Sequence, residues 1–91
     1  MMRLDVFLNM CCIVKRRTEA KRACDNGIVT VDDQMAKASR EVMVGQRVCI
    51  AFTDRLLEFE VLDVPQGNVA RKDALNYYCI LRDEIRESEF I

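Results

Sequence analysis

Histidine and tryptophan are absent from these 91 residues, proline occurs once, and no apolar run approaches the ~18–20 residues of a membrane span. Without histidine, acid–base chemistry falls to carboxylates or cysteine, and a zinc site needs four thiolates. The five cysteines, Cys11, Cys12, Cys24, Cys49 and Cys79, cannot all pair within one chain, and none has CxxC spacing. They read as reduced, mostly buried thiols behaving as small hydrophobes, with no disulfide, metal or cofactor expected. The opening stretch Met1–Val14 is apolar in part, but Arg3, Asp5 and Asn9 interrupt it and it lacks a small-residue cleavage site. The expectation is a soluble, cytoplasmic chain with no membrane partner.

What is present is a globular balance: 51% hydrophobic and 32% charged residues. The length suits one small domain with a thin core, burying about 60–65% of the unfolded surface. The net charge of −1 hides an asymmetry. Residues 1–47 carry nine basic and six acidic groups (+3), and residues 48–91 five basic and nine acidic (−4). Lys15-Arg16-Arg17-Thr18-Glu19-Ala20-Lys21-Arg22 holds five cations against one anion. Such a segment suits a local phosphate-binding surface, or equally a solvated helix face with internal pairs such as Lys21 with Asp25.

Leu4, Phe7, Leu8 and Cys11 form one helical stripe, which predicts a first helix over roughly 3–11. Thr18 is the expected N-cap of a second helix. Ala20, Ala23 and Cys24 form its inner face, and Gly27 is its left-handed stop. The period then changes to two. Ile28–Val31 reads as a strand, Asp32-Asp33 as a turn, and Met35–Val44 as irregular strand or loop. After the Gly45-Gln46 turn, Val48, Ile50 and Phe52 alternate on one strand and Leu57, Phe59 and Val61 on the next. Pro65–Asn68 breaks the pattern, and Arg71–Glu87 reads as a helix with Ala74, Tyr78, Leu81 and Ile85 inward. The fold class is α+β: two short helices packed on a small, mostly antiparallel sheet, plus a C-terminal helix.

Arg3-Leu4-Asp5, Phe7-Leu8, Lys15 to Lys21, Gly27 to Val31, Ala36 to Ser39 and Val44 to Val48 together resemble the RNA-binding domain family named after ribosomal protein S-four. Arg71 to Leu81 is similar to the tail of its small stand-alone members, of the ribosome quality-control and heat-shock types. The resemblance covers about residues 3–81 and divides the chain into an S-four-type domain over 1–64 and an extension over 65–91. It implies an RNA-binding factor of the large ribosomal subunit that contacts rRNA and peptidyl-tRNA on stalled, split subunits. A quality-control elongation factor on the same subunit is a compatible partner. Arg3, Lys15, Arg16, Arg17, Thr18, Lys21 and Arg22 would face RNA, with Lys37 and Arg40 across a shallow groove. Thr18 serves first as a helix cap in this reading.

Relatives often carry a basic residue where this chain has Val6, Asn9 and Cys12, and Asn-Gly-Lys or similar at Asp32-Asp33-Gln34. Fewer neutralised phosphates mean weaker binding, each contact adding about 0.7–0.9 to the salt slope. Three alternatives stand beside the main reading: a heat-shock-type factor recycling obstructed large subunits, a protein-interaction module using Asp83, Glu84, Glu87 and Glu89, and a thiol sensor at Cys11-Cys12 whose thiolate Lys15 and Arg16 would favour. The carboxylate pairs Asp32-Asp33 and Glu58/Glu60 read as surface, so no enzyme is expected.

Overall fold

The computed structural model describes residues 2–65, 67 and 69–85. The chain runs β1 (Met2–Arg3), α1 (Leu4–Met10), α2 (Arg17–Asp25), β2 (Val29–Val31), β3 (Gln34–Met35), β4 (Glu41–Val42), β5 (Arg47–Ala51) and β6 (Arg55–Val61). A 3₁₀ turn (Arg71–Asn76) then leads into β7 (Tyr78–Ile85). Two antiparallel sheets form, one of order β3-β2-β5-β6-β7 and a short β1–β4 pair. The α+β expectation holds.

The core follows the two periods read from the sequence. Leu4, Phe7, Leu8 and Cys11 are fully buried, as are Val29, Val48, Ile50, Phe59 and Val61 on the facing sheet. Ala20, Ala23 and Cys24 are buried on α2, their small size letting it lie close to α1. Phe7 stacks on Phe59 with centroids 6.2 Å apart, and Tyr78 meets Phe59 edge-on at 5.4 Å. Glu58 and Glu60 alternate away from this core and are half-buried opposite Cys49 and Arg47.

Both helices end alike. At the end of α2 the Ile28 N–H donates to the Ala23 carbonyl and the Gly27 N–H to Cys24, with Gly27 at φ +74°. At the end of α1 the Ile13 N–H donates to Leu8 and the Cys12 N–H to Asn9, with Cys12 at φ +61°. These paired bonds satisfy carbonyls that the last helical turn leaves open. The Asp32-Asp33 turn joining β2 to β3 has positive φ at both residues, as a two-residue hairpin whose strands keep their twist requires. Within Met35–Val44 only β3 and the short β4 are strand.

Two expectations are corrected. Thr18 does not cap α2: the helix begins at Arg17, the extended Arg16 is the cap residue with no side-chain cap bond, and Thr18 is the second helical residue. The reason is that the Ala20 N–H already donates to the Arg16 carbonyl, starting the ladder two residues ahead of Thr18. Nor is Arg71–Glu87 one helix. Beyond Asn76 the chain pairs with β6 from Val61↔Tyr78 to Arg55↔Ile85, with one irregularity between Glu58 and Phe59. Without β7, the backbone donors and acceptors on the outer edge of β6 would lack partners; pairing supplies them, and Tyr78–Leu81 has the aromatic and branched residues a strand favours. Tyr78 and Ile80 sit opposite Val61 and Phe59, whereas Ile85 is 82% exposed. Residues 86 and 87 of the expected helix lie outside the described residues.

Candidate nucleic-acid interface

The basic surface is organised around a carboxylate. Asp5 lies in the first turn of α1 with its side chain only 2% exposed. Arg3 donates to it through both Nε (3.1 Å to Oδ1) and Nη2 (3.3 Å to Oδ2). Arg17, the first residue of α2, brings Nε to within 3.5 Å of Oδ2. The Val6 N–H also donates to Oδ1 at 2.9 Å. A buried carboxylate needs such partners, and here two half-exposed arginines supply them. Sequence reasoning missed Asp5 as a site residue, counting it as an interruption of an apolar stretch and as part of the Arg3-Leu4-Asp5 motif. The available signal was a carboxylate set inside a buried helical stripe and flanked in sequence by Arg3.

Backbone bonds bring the loop between β3 and β4 to the same place. The Leu4 N–H donates to the Arg40 carbonyl (2.7 Å) and the Asp5 N–H to Ala38 (3.2 Å), filling the open donors of the helix start. Two adjoining concavities result. One, of about 370 Å³, is lined by Arg3, Asp5, Arg17, Thr18 and Lys21. The other, of about 400 Å³, is lined by Arg3, Lys21, Lys37 and Ser39 among others. Arg3 and Lys21 border both, so the two make one shallow groove. Lys37 lines the same concavity as Lys21 of α2.

The remaining expected residues lie elsewhere. Lys15 lines a separate hollow with Phe52, Asp54 and Arg55 on the other flank of α2, and Arg22 a neighbouring one with Asn26, Ile28 and Phe52. The Arg55 guanidinium sits 5.4 Å above the Phe52 ring there. Arg16, exposed at the start of α2, and the half-buried Arg40 line neither part of the groove. The acidic Asp32-Asp33 turn lines neither part as well; Asp32 Oδ1 accepts the Arg47 N–H at 3.0 Å. Val6 faces a larger hollow lined also by Met2, Arg3, Met10, Asp63, Val64 and Pro65. The ion pairs found among the described residues do not include Lys21 with Asp25, which leaves the Lys21 charge available to a ligand.

The cysteines are not mostly buried: Cys11 and Cys24 are, Cys49 is intermediate, and Cys12 and Cys79 are exposed. Burial pushes the Cys11 thiol up to about 12, with Cys12 adding to the rise. At Cys11 this runs against the idea that Lys15 and Arg16 favour a thiolate, because burial favours the neutral thiol. Burial likewise pushes Cys24 to about 11, with Asp5 and Asp25 contributing. Among the described residues no three cysteine or carboxylate side chains stand together to hold a metal ion, and no helix is long and apolar enough to cross a membrane.

A protein-family model described as S4 domain matches residues 2–48. The RQC P-site tRNA stabilizing factor of Bacillus subtilis is 35% identical over 83 residues, covering 91% of this chain and 95% of that protein. The protein of the same name from Halalkalibacterium halodurans is 37% identical over 89 residues, covering 97% of this chain and all of that one. Among solved structures, heat shock protein 15 of Vibrio cholerae superposes with a TM-score of 0.79 over 87% of this chain and 80% of its own. Its 22% identity speaks to the fold alone. The solution structure of a hypothetical protein matches with a TM-score of 0.78 at 36% identity, over 91% of this chain and all of that one.

Proposed function

Because the chain belongs to the S4 domain family, alongside the proteins named RQC P-site tRNA stabilizing factor, we propose that it is an RNA-binding factor of the large ribosomal subunit acting in ribosome-associated quality control. It contacts rRNA and peptidyl-tRNA on stalled, split subunits, and holds the tRNA while a quality-control elongation factor works on the same subunit. The observation that carries this reading is the near end-to-end match to relatives whose name describes tRNA stabilisation.

The groove supports it with a mechanism. Arg3, Arg17, Lys21 and Lys37 present cations around a shallow concavity, with the Thr18 and Ser39 hydroxyls between them. Arginine forks and lysine point charges both bind phosphate oxygens, and such contacts set a protein's position on folded RNA without reading its sequence. Lys15, Arg16, Arg22 and Arg40 lie outside the groove and act as further, longer-range attraction for the same polyanion. The protein works by binding, in the cytoplasm, with no reaction of its own.

The test is crosslinking to ribosomes in cell extract, followed by sequencing of the recovered RNA. Recovery of large-subunit rRNA together with tRNA is expected. Recovery of proteins alone would instead favour an interaction module working through the acidic second half.

A further inference from the structure

A surface built only to attract phosphate has no use for a carboxylate between its two arginines. Asp5 cancels one of the two charges it holds, and so weakens the long-range attraction of the groove for a polyanion. What it supplies in return is geometry. Both guanidiniums end on the same carboxylate, Arg3 by a two-nitrogen fork and Arg17 through Nε. The Val6 N–H holds Oδ1 from the backbone side, so the carboxylate cannot turn away. The backbone N–H of Asp5 donates to the carbonyl of Ala38, one residue from Lys37. One buried residue thereby ties together the start of α1, the start of α2 and the loop across the groove. The N–H groups of Arg3 and Arg17 not used on Asp5 belong to side chains 45% and 57% exposed, within a ligand's reach.

We propose that Asp5 is a positioning residue that makes this groove selective for the backbone of folded RNA over flexible single strands. The inference rests on the RNA-binding reading above. An array of cations fixed before the ligand arrives costs little to fill when the phosphates are also fixed, as in a helical stem. A flexible strand must be ordered to match it, and loses that freedom on binding. Arginines released from Asp5 would adapt to either ligand, with more charge and less discrimination.

The experiment measures affinity for a synthetic RNA hairpin with a paired stem and for an oligouridylate of the same length, at several salt concentrations. The wild-type protein is expected to favour the hairpin. Asp5→Asn should shrink the hairpin-to-oligouridylate ratio by about tenfold, while the salt slope on oligouridylate stays the same or steepens by up to about one unit. A structural role alone would lower the melting temperature and both affinities together, leaving the ratio intact, and that result overturns the proposal. Should Asp5→Asn not hold its fold by circular dichroism, the Arg3→Lys/Arg17→Lys variant decides. It keeps Asp5 and every charge but removes the planar forks, and it should lose the same ratio; an unchanged ratio there overturns the proposal. Binding of both RNAs with a ratio indifferent to these changes removes only the role of Asp5. Failure of the wild type to bind either RNA removes the RNA-binding reading, and this inference with it.

Discussion

Cys12 and Gly27 occupy equivalent backbone positions, each in the left-handed region one residue past a helix cap and each donating to a carbonyl of the last helical turn. Only one of them is suited to it. A residue with a Cβ is strained there by roughly 1–2 kcal/mol, partly offset by the greater freedom glycine has in the unfolded chain. Cys12→Gly should therefore stabilise the fold by about 0.5–1 kcal/mol, a rise in melting temperature of several degrees for a domain of this size. Gly27→Ala should do the reverse, costing about 1–2 kcal/mol by the same strain. Its Cβ would also come within 3.0 Å of the Met35 sulfur, a contact the exposed methionine can relieve. Thermal melts of the two variants check the pair; equal and opposite shifts about the wild type are not required, but opposite signs are.

The centre of the core is Phe59, enclosed between Phe7 and Tyr78. Phe59→Ala should cost about 3–5 kcal/mol and Leu8→Ala about 2–5 kcal/mol. For 91 residues the total stability is of the order of 5–14 kcal/mol, so either change removes a large share of it. Urea unfolding curves read this directly, and midpoints matching the wild type would contradict the placement of the core.

Alkaline pH should weaken the fold. The folded-state thiols of Cys11 and Cys24 are raised by burial to about 12 and about 11, from an ordinary value of 9.0. Between those values the unfolded chain has lost these protons while the folded protein keeps them. Stability is thus fully present below pH ~9 and is lost as the pH rises through the folded values. Tyr78, also raised by burial, adds the same trend above its ordinary value of 10.0. The melting temperature should fall between pH 7.5 and 10.5, and fall less in Cys11→Ala/Cys24→Ala; identical pH profiles for the two proteins would rule the thiols out.

The two flanks of α2 should differ in their effect on RNA. Lys21→Ala/Lys37→Ala removes two exposed cations from the groove. It should weaken binding similarly across RNA sequences and reduce the logarithmic salt slope by about 1.4–1.8. Stability should stay within about ±0.5 kcal/mol. Lys15→Ala/Arg22→Ala, with equal charge removed from the opposite flank, should weaken binding less. Equal losses from both pairs would show general attraction to the basic segment rather than a defined groove.

The packing elements were legible in the sequence because burial imposes a period. A helix with one wet face repeats its apolar residues every three to four positions, and a half-buried strand every two, so Leu4, Phe7, Leu8 and Cys11, and later Leu57, Phe59 and Val61, announce themselves. The left-handed stop at Gly27 was equally readable, because glycine tolerates that backbone at no steric penalty. Cys12 gave no such sign, since its conformation follows from the chain having to turn between α1 and α2. The C-terminal segment was misread for a related reason: Ala74, Tyr78, Leu81 and Ile85 fit a helical spacing, but the open edge of β6 offers eight residues a ladder of backbone bonds that spacing cannot reveal. The basic run over Lys15–Arg22 was evident as charge, while its division between two flanks depends on the rotation of α2. The role of Asp5 depended on tertiary structure altogether. Local sequence determines which residues are buried through a repeating geometric demand; which charges meet is decided by elements distant along the chain, and only folding brings Arg3, Arg17 and the loop of Lys37 to one carboxylate.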